Sequence, residues 1–166
     1  MRIDGIGDDS SMATHDASER FGEPWFITTT AIRRGGSYEL ARPGRPDQRV
    51  VVNEGERRRM MVGILLELPT DAPLRGRSPT SMDALAVWGA LTQSLQPRNL
   101  QAQLLTDEYG VHAVLVSRHL SGDEGTFDLR THIADISAVI DDLAVSIRSS
   151  CQELVQRITE RAASVA

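Results

Sequence analysis

The stretch FDLRTHIADISAVIDDLAVSIRSSCQELVQRITERAA, Phe127 to Ala163, decides how this chain folds. Leu129, Ile133, Ile136, Ile140, Leu143, Ile147, Leu154 and Ile158 recur at steps of four, three, four, three, four, seven and four. On a helix of 3.6 residues per turn these positions fall on a single apolar stripe. The spacing predicts one amphipathic helix starting near Phe127 or Asp128 and ending near Ala163. At ~1.5 Å per residue it is ~50 Å long. That exceeds the width of a small domain, so the helix is expected to bend or to project its end toward a partner.

Upstream of that helix, Leu100 to Thr106 and Val111 to Leu120 alternate in the manner of strands, and Asp107, Glu108, Tyr109 and Gly110 form a tight turn between them. Ser78 and Pro79 suggest a helix start, a capping hydroxyl followed by a proline where no amide donor is needed. That helix is expected to run to about Leu95, with Met82, Leu85, Trp88, Leu91 and Leu95 on one side and Pro97 stopping it.

Arg58 to Leu68 is the strongest strand. Met60, Val62, Ile64, Leu66 and Leu68 occupy one face, and Met61, Gly63 and Leu65 the other. An apolar middle on both faces means that both are covered, one by a helix. The run WFITTTAI from Trp25 to Ile32 is β-branched and aromatic and reads as a strand. Ser37 to Ala41 and Arg49 to Val52 add two more. Arg42 to Asp47 holds two prolines and a glycine and reads as a loop outside any ladder. Asn53 to Glu56 reads as a hairpin turn. The fold class is therefore α+β, an antiparallel sheet with a middle helix and a long C-terminal helix on one face, in the order β-β-β-β-α-β-β-α. Residues 1–20, rich in Gly, Asp, Ser and Thr, read as a disordered or loosely attached leader, and 21–166 as a single domain.

At 166 residues the chain is long enough to bury roughly 70% of its unfolded-state surface, so it needs no disulfide or metal to fold. Aromatics are only 4%, which leaves the core to Leu, Ile, Val, Ala and Met. The net charge is −5, and every basic residue is Arg, interspersed with acids. A nucleic-acid binder would carry a basic stripe, and Arg57, Arg58 and Arg59 read as the rim of a hairpin instead. Cys151 is the single cysteine, so no intrachain disulfide forms, in keeping with a reducing cytoplasm. No apolar stretch reaches membrane-spanning length.

Catalytic patterns are missing. There is no phosphate-binding glycine loop, paired-histidine zinc helix or CxxC pair. His15, His112, His119 and His132 lack metal-ligand spacing. Cys151 beside the apolar stripe reads as a structural thiol. Asp141 and Asp142 point about 100° apart on a helix and read as a solvated face. No cofactor or metal is expected, and no enzymatic activity.

VGILLELP (Val62 to Pro69), SMDALAVWGAL (Ser81 to Leu91), NLQAQLLTDEYGVHAVLVSRHL (Asn99 to Leu120) and FDLRTHIADISAVIDDLA (Phe127 to Ala144), taken in order, resemble the type III secretion chaperones of the CesT class and their YbjN-like relatives. The likeness lies in element order and hydrophobic rhythm over roughly 25–160. It implies a small acidic cytoplasmic protein, a homodimer, that holds an extended peptide of a client protein on its sheet. Trp25, Ile27, Met61 and Leu65 are the residues expected to take the client. Trp88, Leu91, Leu100 and Leu104, on the middle helix and the strand after it, are those expected at the dimer face. Two other functions compete. One is an immunity-like inhibitor of a single toxin, whose binding falls steeply with salt. The other is a small-molecule sensor or enzyme with a pocket around His112, Arg118 and Glu67.

Overall fold

The computed structural model describes residues 37–42, 44–54, 59–121 and 129–165. The expected leader, the strand at 25–32 and the turn beyond Glu54 lie outside the described residues. Five strands, β1 (Ser37–Arg42), β2 (Arg45–Glu54), β3 (Met60–Glu67), β4 (Gln101–Asp107) and β5 (Gly110–Leu120), form one antiparallel sheet in the order β1-β2-β3-β5-β4. The helices are α1 (Met82–Leu95), α2 (Leu129–Ser146) and α3 (Cys151–Val165). The class is α+β with a long helical C-terminus, as the patterning predicts.

The closing stripe is buried from Leu129 to Leu154, yet the backbone beneath it is not continuous. Helix α2 ends at Ser146 and α3 restarts at Cys151. Ser150 explains the restart: its hydroxyl accepts the Glu153 amide at 3.2 Å and its carbonyl accepts the Leu154 amide at 2.8 Å. Ser150 and Glu153 have the spacing of a capping box. Buried Cys151 stands between Ile147 and Leu154, so the seven-residue step is a four and a three and the stripe survives the break.

Three local expectations are corrected. Helix α1 is capped by Ser81, whose hydroxyl accepts the Ala84 amide at 3.2 Å, whereas Ser78 accepts the Thr80 amide within a turn. Pro46 lies inside β2. The register pairs Ala41 with Arg49 and Arg42 with Arg45, which leaves 46–48 opposite a bulge where no proline amide is needed. Finally, the apolar residues of α1 do not share a side. Three-residue steps retreat by about 60° each, so Met82 and Leu91 face opposite ways. The buried residues are Ala84, Val87, Leu91 and Leu95.

The described chain divides into two compact units. One holds β1, β2, β3 to Ile64, β5 from Arg118, and α2 to Asp135. Glu39 and Arg49 form a cross-strand ion pair in it at 3.4 Å. Arg118 Nη1 donates to Asp135 Oδ2 at 3.0 Å and to His132 Nδ1 at 2.9 Å, joining β5 to α2. A guanidinium only donates, so in this arrangement Nδ1 accepts and the ring proton sits on Nε2. The other unit holds the rest of β3, β5 and α2 with α1, β4 and α3. There, α1 packs on β4 and on α3. The loop 69–81 is tied to β5 by Gly76 N–H to Val111 O at 2.8 Å and Val111 N–H to Arg77 O at 2.9 Å.

Candidate functional site

Helix α1 reads MDALAVWGALTQSL, and its first three turns carry one charge, Asp83, which Arg77 faces at 3.6 Å. A helix apolar around most of its circumference belongs in a core on all sides. This one is buried on one side only. Met82 is 87% exposed, Leu85 53% and Trp88 45%. Along the helix these three form a ridge beside the buried stripe. The Trp88 indole N–H donates to the Ala102 carbonyl of β4 at 3.3 Å, which locks the ring between helix and strand. Strand β4 pairs with β5 alone among the described residues and is an edge of the sheet. Trp88 thus joins the ridge to this edge, on which Gln101 and Gln103 are exposed.

Of the residues expected at the dimer face, Trp88 is on this ridge and Leu104 is half-buried beside it on β4. Leu91 and Leu100 are each 3% exposed, so their apolar surface is spent inside the unit. Met82 and Leu85 belong to the ridge, and a helical wheel drawn at 100° per residue would have separated them from Leu91 in advance. Of the residues expected to meet a client, Trp25 and Ile27 lie outside the described residues. Met61 and Leu65 are half-buried on β3, while Met60, Val62, Ile64 and Leu66 on the opposite face are buried. Because β3 lies between β2 and β5, both its hydrogen-bonding edges are occupied, and only its side-chain face is available.

Cys151 lies at the start of α3. Burial pushes its thiol above the ordinary value of 9.0, the Asp83 carboxylate adds to the rise, and Arg77 opposes it. The reactive species is the thiolate. Native Cys151 should therefore react with a disulfide reagent at pH 8 several-fold more slowly than the urea-unfolded chain, and equal rates would refute the burial. The sign for stability is that the folded thiol holds its proton longer than the unfolded one. Its contribution is full below 9.0 and declines as pH rises past it. Among the described residues no group of three His, Cys, Asp or Glu stands as metal ligands, and no helix is long and apolar enough to cross a membrane.

No family model matches the chain, and no curated protein sequence does. Among solved structures it is similar to an uncharacterized protein from Methanothermobacter thermautotrophicus, at TM-score 0.44 and 15% identity over 92% of this chain and 97% of that one. It is also similar to YbjN from E. coli, at TM-score 0.42 and 10% identity over 96% and 93%. At likenesses this low, function rests on the chain's own surface.

Proposed function

We propose that this chain is a non-enzymatic protein-binding module that pairs with a second copy of itself through α1 and β4 and holds an extended segment of a client protein. The observation that carries this reading is the exposed ridge of Met82, Leu85 and Trp88 on a helix with almost no polar face. Covering Met82, which is almost fully exposed, is worth about 1.5–3 kcal/mol, and covering the remaining exposed half of Leu85 or Trp88 correspondingly less. The open edge of β4 beside them supplies backbone donors and acceptors. A two-fold pairing places the same ridge on both copies, as a self-complementary patch requires. The half-buried face of β3, with Met61 and Leu65, is left for the client. A thioether adapts to irregular apolar partners, and the net negative charge keeps such a surface soluble.

Light scattering on the full chain tests the pairing. The wild type should show twice the single-chain mass of 18.2 kDa. Trp88→Arg should return it to one chain with an unchanged far-ultraviolet spectrum, because the ring is on the surface. A wild type that stays at single-chain mass at its highest soluble concentration removes the pairing. Leu65→Asp should weaken client binding and leave the mass unaltered.

A further inference from the structure

We infer that a groove between α1, α2 and α3, distinct from the ridge described above, binds a single-chain amphiphile with an anionic head, a fatty carboxylate being the simplest. The groove measures about 510 Å³, within the roughly 300–1,000 Å³ usual for small-molecule sites. Val139 and Val145 of α2 and Ile158 of α3 present aliphatic carbon to it, over a floor formed by buried Leu91 and Leu95 of α1, Leu143 of α2 and Leu154 of α3. A purely polar anion gains nothing from such a lining, whereas an alkyl chain is transferred out of water.

The charges on the rim select the head group. Asp142 and Glu160 are its acids: Asp142 pairs with Arg161 at 2.9 Å, and Glu160 accepts from the neutral Gln156 amide at 3.0 Å and keeps its charge, so the cations Arg98, Arg157 and Arg161 outnumber the acids by one. Arg98 has interactions of its own. Arg157 also lines the groove, and it has no hydrogen-bond or ion-pair partner among the described residues. Its guanidinium offers parallel N–H donors that match a carboxylate two to two. An entering ligand thus meets apolar walls and one uncommitted cation, and a cationic head of the same tail length meets repulsion.

The test is calorimetric titration of the full chain with sodium dodecanoate below its micelle concentration, with dodecyltrimethylammonium as the same-tail, opposite-charge control. Dodecanoate should bind saturably at one per chain, and the cationic amphiphile should not. Arg157→Gln, a surface change, should weaken dodecanoate by about tenfold. Ser94→Trp, which fills the groove from α1, should abolish binding, and if that variant does not fold, Arg157→Gln decides alone. The assignment is overturned if dodecanoate does not saturate, if Arg157→Gln binds it as well as the wild type, or if the cationic amphiphile binds equally. It is also overturned if Ser94→Trp halves the mass of the assembly while dodecanoate does not bind, because the groove then belongs to a second copy.

Discussion

Gly110→Ala should lower the unfolding free energy by about 3 kcal/mol, read as a fall in the urea midpoint at constant m-value. Two causes act together. Gly110 has φ +114, a backbone conformation that side chains rarely adopt, and a Cβ there would lie 2.6 Å from the Gly76 carbonyl oxygen and 2.7 Å from that of Arg77. Both obstacles are backbone, so no flexible side chain can give way. Relieving the overlap means moving the 69–81 loop off β5, which breaks the Gly76–Val111 and Arg77–Val111 hydrogen bonds. Ala72 and Leu74, buried in the same loop, resist that movement. Gly44→Ala separates the two causes. Gly44 has φ +74, but a Cβ there meets nothing within 4 Å. Its cost should be limited to about 1–2 kcal/mol of conformational strain. Equal losses at the two glycines would show that the loop does not press on the turn.

Ile140→Ala should cost about 3 kcal/mol, whereas Val145→Ala, on the same helix α2, should change stability by less than about 0.5 kcal/mol. Ile140 is fully buried and its truncation leaves a cavity, but Val145 is 81% exposed and alanine is the better helix former. Thermal or urea unfolding of the two variants decides between a one-sided and an all-round burial of α2. A comparable loss at Val145 would mean that this face is covered in solution.

These two effects differ in how far they can be read from residue order. The buried stripe of the C-terminal helices, Ile140 included, is legible because a periodicity of three and four is local information. The β4–β5 hairpin is legible for the same reason: alternation on both sides and a turn of Asp107, Glu108, Tyr109 and Gly110, in which Asp107 Oδ1 accepts the Tyr109 amide at 2.7 Å. The break before α3 was also present in the sequence, as the Ser150–Glu153 capping pair, but the unbroken apolar rhythm across 147–154 masked it. The place of Pro46 inside β2 is not legible, because a proline is compatible with a strand wherever a bulge releases its partner, and the bulge depends on β1. The candidate surface was half legible. Trp88 and Leu104 are legible from their neighbours, but the burial of Leu91 and Leu100 is not.

By itself, then, the order of residues determined the fold class and most element boundaries, since helix and strand periods, turn formers and caps all act within a few residues. Tertiary structure alone decided which side of α1 is left bare, because a helix apolar almost all round contains no information about where its core lies. Tertiary structure also brought together Leu91, Leu143, Leu154 and Arg157, which come from three separate helices, and packed Gly110 against Gly76. Each of these depends on distances between segments far apart in the chain, which packing sets and local preference does not.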